Sequence, residues 1–163
     1  MKLNIFKKPT IIIVDDHLIF QQGLKAIISA EEIATMIGEV SNGKDFIELL
    51  SMQKPDLVLM DIDMPNMNGM EATQIALELK PDLKIIIFSM FGDEEYYNKM
   101  IEIGVKGFIL KSSGINEVEK AIHDVIMGKT YFSNILPKKT ITKLNQKKTQ
   151  EHSEKPISPI PWW

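Results

Sequence analysis

Apolar residues in the first 127 positions follow two alternating patterns. Short continuous runs rich in isoleucine, valine and leucine alternate with longer segments in which apolar residues recur every three or four positions. Continuous runs are typical of strands buried on both faces of a parallel sheet, and the wider spacing is typical of amphipathic helices. Strands are therefore predicted over residues 10–16, 33–40, 56–62, 83–90 and 105–111.

A helix is predicted after each strand, and helix-breaking residues mark where several of them end. Pro55 and Pro81 follow the second and third helices, and Gly104 and Gly128 follow the fourth and fifth. Five successive strand–helix units predict a parallel sheet between two layers of helices, joined by right-handed crossovers. The predicted helices lie within residues 17–29, 41–54, 68–80, 93–103 and 115–127.

Composition places the chain among soluble globular proteins and excludes several kinds of site. The 163 residues are 44% hydrophobic and 25% charged, and no apolar run reaches the length of about 18 residues that a membrane helix needs. The lysine-interrupted start does not fit a secretory signal. The chain has no cysteine, which excludes disulfides, thiol catalysis and cysteine metal sites. A cytoplasmic protein without membrane contact is expected.

Charge divides the chain into two parts. Seven lysines and two acids lie from Gly128 onward, whereas the first 127 residues hold 12 lysines and 20 acids. The last eight residues contain three prolines, and arginine is absent throughout. We predict one folded domain over residues 9–129, followed by a basic, proline-containing linker or tail over residues 130–163.

Charged and hydroxyl side chains occur where the predicted strands end. Strand one ends at Asp15 and Asp16, strand three at Asp61, strand four at Ser89 and strand five at Lys111. The carboxyl ends of parallel strands lie on one edge of the sheet, where ligands of open α/β sheets bind. If strands one, three and five are close there, the acids and the lysine form one pocket.

Such a pocket would suit a divalent cation and a phosphoryl group. Carboxylates held close together repel one another, and a hard cation with oxygen ligands, such as Mg²⁺, relieves that repulsion. A carboxylate flanked by Mg²⁺ and the Lys111 ammonium is a good phosphoryl acceptor, because charge on the transferring oxygens must be stabilised. The Ser89 hydroxyl can then hydrogen-bond a phosphoryl oxygen.

Four motifs resemble the receiver domains of bacterial two-component response regulators. They are "VDDH" at 14–17, "MDIDMPNMNG" at 60–69, "FSM" at 88–90 and "GFILKSS" at 107–113, and their order and spacing both match. The resemblance covers about residues 10–127. It implies a flavodoxin-like (βα)5 fold, a doubly wound parallel five-stranded sheet of order 2-1-3-4-5.

The resemblance also implies a role for each of these residues. Asp61 is the phosphoacceptor, and Lys111 pairs with the phosphate. Ser89 is the switch hydroxyl and Phe108 the switch aromatic. Mg²⁺ is expected to be held directly by Asp16 and Asp61, through water by Asp15, and by the backbone carbonyl of Asp63.

The partners follow from the same resemblance. A histidine kinase or phosphotransfer protein is expected to supply the phosphoryl group. The face formed by the fourth helix, fifth strand and fifth helix is expected to bind a second copy or another partner, for example in transcription regulation. The chain is expected to catalyse its own phosphorylation and dephosphorylation, without turning over an outside substrate.

Ser112 departs from many receivers, which carry proline after the lysine. "KSSG" at 111–114 is similar instead to the subgroup whose output is a LuxR-type helix-turn-helix. The tail lacks the periodic helices and arginines of such a domain, so DNA contact by this chain is not expected.

Two alternatives stay open at this point. "DID" at 61–63 also resembles the motif of haloacid-dehalogenase-type phosphatases, which use an aspartyl phosphate and Mg²⁺. Those enzymes place the motif on the first strand, whereas here it follows the third. A receiver-like module that binds partners without phosphorylation is the other alternative. His17 is expected to be a surface residue at the start of a helix, because Mg²⁺ prefers oxygen ligands.

Overall fold

Six parallel strands and five helices make up the fold. The computed structural model describes residues 7–64, 67–90 and 94–132, except for the side chains of residues 94 and 95. The strands are β1 (Thr10–Val14), β2 (Thr35–Val40), β3 (Leu57–Asp61), β4 (Ile85–Ser89), β5 (Gly107–Leu110) and β6 (Tyr131–Phe132). The helices are α1 (Leu18–Ala30), α2 (Gly43–Leu50), α3 (Gly69–Leu79), α4 (Glu94–Ile103) and α5 (Ile115–Ile126).

The strand order is β2-β1-β3-β4-β5-β6, and every neighbouring pair is parallel. The predicted flavodoxin-like α/β fold with order 2-1-3-4-5 is confirmed. The prediction of five strands missed β6, which pairs with β5 through Gly107 opposite Tyr131 and Phe108 opposite Phe132. Two residues are too few to produce a recognisable strand pattern.

β6 lies within the segment that the sequence assigned to the tail. The Tyr131 amide donates to the Lys106 carbonyl at 2.9 Å, and the Tyr131 hydroxyl donates to Glu117 Oε2 of α5 at 2.8 Å. These contacts hold residues 131–132 against the domain. The remainder of the predicted tail, residues 133–163, lies outside the described residues, so the predicted division between domain and tail stays a prediction.

The sheet separates two apolar cores. Successive side chains of a strand point to opposite faces, so Ile12 and Val14 join the core under α2, α3 and α4. Ile11 and Ile13 join the core under α1 and α5. The residues of β3, β4 and β5 are all buried, as their continuous apolar runs predicted.

β2 is the exception to this burial. Thr35 is exposed and the other five residues of the strand are only partly buried, because β2 forms one edge of the sheet. The prediction of burial on both faces is therefore wrong for β2. Within residues 7–132 as described, none of the helices has the length and apolar character needed to cross a membrane.

Gly69 brings the start of α3 close to the end of β3. Its amide donates to the Ile62 carbonyl at 2.9 Å, and an added Cβ would clash with the Asp61 carbonyl oxygen and lie 2.8 Å from Ile62 Cα. We expect Gly69→Ala to lower the free energy of unfolding by about 1–3 kcal/mol, because backbone must move to accept the methyl group. Chemical denaturation of both proteins measures the difference.

Gly23 provides the matched control. It lies within α1, and no atom lies within 4 Å of the position its Cβ would take. Gly23→Ala should stabilise the domain by about 0.5–1 kcal/mol, since alanine is the better helix former. Equal unfolding free energies for wild type and Gly69→Ala would contradict the close approach described here.

Candidate functional site

Strands β1, β3 and β5 bring two acids and a lysine together at their carboxyl ends. Asp15 follows β1, Asp61 ends β3 and Lys111 follows β5. Lys111 Nζ lies 2.8 Å from Asp15 Oδ2 and 3.3 Å from Asp61 Oδ1. The structure therefore joins side chains that lie far apart in sequence, as the positions of the strand ends predicted.

These three side chains are withdrawn from solvent. Asp15 and Asp61 are each 2% exposed, and the side chain of Lys111 is 4% exposed. The Lys111 ammonium also lies 4.6 Å from the centre of the Phe20 ring, a cation–π contact on its apolar side. Burial of this kind is costly for charges unless they are paired, so the lysine is an integral part of the site.

Burial changes the acidity of Asp61. Desolvation and, after it, the negative charge of Asp15 raise the pKa of Asp61, whereas the nearby Lys111 and His17 lower it. The net result is a pKa of about 7. In the absence of a bound cation, Asp61 is therefore much harder to ionise than an ordinary aspartate.

Two buried carboxylate oxygens face the same space without a hydrogen bond. Among the described residues, Asp16 Oδ1 and Asp61 Oδ2 are inaccessible to solvent and have no hydrogen-bond partner. The potential ligand atoms of Asp15, Asp16, His17 and Asp61 all lie within 4.8 Å of one another. Buried acceptors left unpaired cost free energy, and a hard divalent cation such as Mg²⁺ would satisfy them. The residues present therefore fit a magnesium site.

Asp63 lies beside this cluster instead of within it. Its side chain is exposed, and its carboxylate is absent from the close group of ligand atoms in the described structure. An open hollow of about 340 Å³ leads from the cluster to solvent. It is lined by Asp16, Ile62, Asp63, Met64, Asn68 and Tyr96. A metal role for the Asp63 carbonyl stays a prediction.

Ser89 lies on the strand next to that of Asp61, and Phe108 lies one strand further along the sheet. Ser89 ends β4, between β3 and β5, and is 6% exposed. Phe108 is fully buried, and its ring meets Tyr97 of α4 edge-on at a centroid distance of 5.2 Å. Tyr97 in turn meets Phe132 edge-on at 5.9 Å. The switch roles of Ser89 and Phe108 stay predictions.

The contacts of His17 with the acids are what the sequence interpretation did not predict. Its side chain is 54% exposed at the start of α1, as expected of a surface residue there. Nδ1 lies 3.1 Å from Asp15 Oδ1, 3.5 Å from Asp16 Oδ1 and 3.8 Å from Asp61 Oδ2. The available signal was position, because His17 directly follows two strand-end acids.

Comparisons with known proteins indicate one family. A family model described as the response regulator receiver domain matches residues 11–123. The transcriptional regulatory protein DegU of Brevibacillus brevis is 34% identical over 124 residues, which cover 76% of this chain and 52% of DegU. The uncharacterized transcriptional regulatory protein YxjL of Bacillus subtilis is 32% identical over 153 residues, 94% of this chain and 70% of YxjL.

A solved structure shows the same fold. It is a two-component response regulator of the LuxR family from Aurantimonas sp. SI85-9A1, with a TM-score of 0.76 and 25% sequence identity. The match covers 88% of this chain and 100% of that one. The chain described here spans about half the length of DegU, as its 52% coverage shows.

Proposed function

This chain belongs to the response regulator receiver domain family, and from that premise we propose that Asp61 accepts a phosphoryl group when Mg²⁺ is bound. The observation that carries the proposal is the environment of the Asp61 carboxylate. Lys111 contacts Oδ1, whereas Oδ2 is buried and lacks a hydrogen-bond partner among the described residues. One oxygen is thus neutralised, and the other remains available to a cation or a phosphorus atom.

Phosphoryl transfer requires Asp61 in its ionised form. One carboxylate oxygen forms a bond to phosphorus, and the bond from phosphorus to the donor's histidine nitrogen or acyl oxygen breaks. Bound Mg²⁺ supplies charge neutralisation for the phosphoryl oxygens. Because Asp16 Oδ1 and Asp61 Oδ2 are unpaired and buried, these two acids are the proposed direct ligands. Asp15 is proposed to act through water and Asp63 through its carbonyl.

Lys111 is positioned to move from the acid to the phosphate. Its ammonium is anchored by Asp15 Oδ2 at 2.8 Å, a shorter contact than the 3.3 Å to Asp61 Oδ1. When Asp61 becomes an acyl phosphate, its charge moves to the phosphoryl oxygens. Lys111 can follow that charge while it keeps its contact with Asp15, and Ser89 can donate its hydroxyl to another phosphoryl oxygen.

The proposed output is a change in packing around Phe108. Phe108 is already buried against Tyr97, so the proposed switch is a rearrangement of that contact and not the burial of an exposed ring. The Tyr97 hydroxyl is buried and has no hydrogen-bond partner in the described part of the chain. A buried hydroxyl without a hydrogen-bond partner favours another packing in which it has one. This supports α4 as the element that moves relative to β5 in the proposed switch.

Partners are proposed on the same basis. A histidine kinase or phosphotransfer protein supplies the phosphoryl group, and the face formed by α4, β5 and α5 binds a second copy or another protein. DegU and YxjL are transcriptional regulators, so a role in transcription regulation is proposed for the complete signalling system. Residues 9–129 are the proposed receiver in the cytoplasm, and residues 130–163 a linker or tail without a DNA contact of its own, of which residues 131–132 pair with β5.

Two observations disfavour a haloacid-dehalogenase-type phosphatase. The family match covers residues 11–123 as a receiver domain, and "DID" ends the third strand instead of the first. Receiver domains are signalling modules, so the proposal includes no turnover of an outside substrate.

Intact-mass measurement tests the proposal. Treatment with acetyl phosphate and Mg²⁺ should add one phosphoryl group to the full chain, and Asp61→Asn should abolish the addition because amide oxygen is a poor nucleophile. Asp63→Asn is the matched control, since its exposed carboxylate lies beside the cluster and the change keeps the backbone carbonyl. No addition from any small donor or from a histidine kinase, or equal addition to Asp61→Asn, would overturn the proposal.

A further inference from the structure

An apolar groove lies between α1 and α5, on the face of the sheet that these two helices cover. Its volume is about 310 Å³, and most of its lining is apolar, including Ile19, Phe20 and Ile27 of α1 and Ile115 and Val118 of α5. Gly23 of α1 also lines it, and no atom lies within 4 Å of the position that a Cβ on Gly23 would take. The groove therefore has open space for a side chain from another segment.

Apolar residues that face water border this groove. Ile19 is 89% exposed, Leu18 59% and Ile27 41%, so α1 presents three large aliphatic side chains to solvent. Exposed apolar surface of this kind on a soluble domain marks a site of interaction. Covering it removes apolar area from water, which favours a segment that brings apolar side chains of its own.

The chain contains a segment whose composition suits the groove. The stretch PISPIPWW at 156–163 has no charged side chain, and it holds both tryptophans of the chain, Trp162 and Trp163. Tryptophan brings a large apolar surface with few rotatable bonds, and prolines restrict the backbone before it binds, so little entropy is lost on docking. Proline-rich segments bind grooves lined by aromatic rings, and Phe20 and Phe88 line this groove.

β6 brings the chain to the groove before this stretch begins. Tyr131 packs on the core under α1 and α5, and its hydroxyl donates to Glu117 Oε2, beside the groove-lining Val118, at 2.8 Å. β6 is parallel to β5, so it points to the edge of the sheet where Ile115 lines the groove. The 23 residues 133–155 then precede the apolar stretch. A coil of that length spans about 25 Å, whereas a helix with its side chains is about 10–12 Å across, so the stretch can reach the groove of its own chain.

Charge favours the chain's own tail over a second domain as the occupant of the groove. The first 127 residues hold 12 lysines and 20 acids, whereas seven lysines and two acids lie from Gly128 onward. Two acidic domains placed face to face repel each other, but a basic tail is attracted to an acidic domain. The lysines of the tail therefore hold the apolar stretch near the groove.

We propose that residues 156–163 dock in the groove between α1 and α5 of their own chain, with a tryptophan in the open space at Gly23. The docked segment covers Ile19 and Ile27, and it closes this face of α1 to other proteins until a competitor displaces it. The proposal concerns a surface outside the acidic pocket and does not depend on phosphorylation of Asp61.

Tryptophan fluorescence of the full chain tests the proposal, because both tryptophans lie in the docking segment. Docking should shift the emission to shorter wavelength and reduce its quenching by acrylamide, relative to a free peptide of residues 150–163. Gly23→Gln fills the open space with a polar side chain, and Ile19→Gln makes the border of the groove polar. Each substitution should move both readouts toward those of the peptide. Both variants should fold, because glutamine is a better helix former than glycine and Ile19 is exposed; circular dichroism checks this.

Leu79→Gln is the matched control. Leu79 is also an exposed aliphatic residue on a helix, at the end of α3 on the other face of the sheet, so both readouts should stay as in wild type. Wild-type emission equal to that of the free peptide would overturn the proposal. Emission that neither groove substitution changes, or that Leu79→Gln changes equally, would do the same. A shift that is lost on dilution, together with a dimer in light scattering, would place the segment in the groove of a second copy and overturn docking within one chain.

Discussion

At a pH near 8 and without divalent cations, Lys111→Met is expected to lower the free energy of unfolding by about 3–5 kcal/mol. Methionine keeps the length and apolar stem of the side chain but removes the ammonium between Asp15 and Asp61. Both carboxylates stay buried, at 2% exposure each. The loss of their shared cation leaves two negative charges in a low-dielectric site, and this uncompensated charge is the source of the destabilisation.

The expected loss depends on pH, because Asp61 can take up a proton. Burial raises the pKa of Asp61 to about 7 even with Lys111 present, and removal of that positive charge raises it further. Below neutral pH, the variant can therefore neutralise Asp61, and its deficit should shrink. Urea denaturation near pH 6 and near pH 8 measures this difference.

Lys106 offers a matched control on the same part of the chain. Its side chain is exposed just before β5, so Lys106→Met should change stability by less than about 0.5 kcal/mol. If the two substitutions changed stability by similar amounts, Lys111 would not compensate the charges of Asp15 and Asp61. The same would follow if the Lys111→Met deficit grew as the pH fell.

Asp61→Asn should act in the opposite direction and stabilise the cation-free domain by roughly 2–4 kcal/mol near pH 8. Between about pH 4 and pH 7, the folded chain keeps a proton on Asp61 that the unfolded chain has released. Stability that depends on this proton is fully present below the unfolded pKa and is lost as the pH rises through the folded pKa. Asparagine removes the titration, while Lys111 keeps its contact with Asp15.

Denaturation of wild type and Asp61→Asn across this pH range tests the expectation. The gap between the two proteins should be small near pH 4 and reach its full size above pH 7. Added Mg²⁺ should reduce the gap near pH 8, because a ligand that binds the folded wild type stabilises it. Asp63→Asn is the control. Because Asp63 is exposed, no pH-dependent gap in stability between this variant and wild type is expected. A constant gap at all pH values would contradict a raised pKa of Asp61.

Most of the fold could be predicted because buried parallel strands leave a simple apolar pattern. The runs in β3, β4 and β5 are continuous because helices cover both faces. β2 carries a similar run but forms an edge, and a single strand does not reveal its place in a sheet. Pairing of the two residues of β6 depends on the tertiary contacts of Tyr131 and Phe132, so sequence pattern could not predict it.

The grouping of the candidate site was predictable for a topological reason. Parallel strands in one sheet end on one edge, so the acids at the ends of β1 and β3 and the lysine after β5 share that edge, and the strand order brings them near one another. The direction of each side chain was not determined in this way. His17 has an exposed ring whose Nδ1 nonetheless faces three carboxylates, and only atomic positions distinguish this arrangement from a solvated histidine.

The row of rings formed by Phe108, Tyr97 and Phe132 has a consequence for how firmly the end of the domain is held. β6 pairs through only two residues, and the edge-on contact between Phe132 and Tyr97 adds to the hydrogen bonds of Tyr131 in attaching it. Edge-on ring contacts are sensitive to angle and distance. A rotation of Phe108 that displaces Tyr97 would therefore loosen or tighten β6. If phosphorylation of Asp61 moves Phe108 as proposed, the attachment of residues 131–132 to the sheet would change with it.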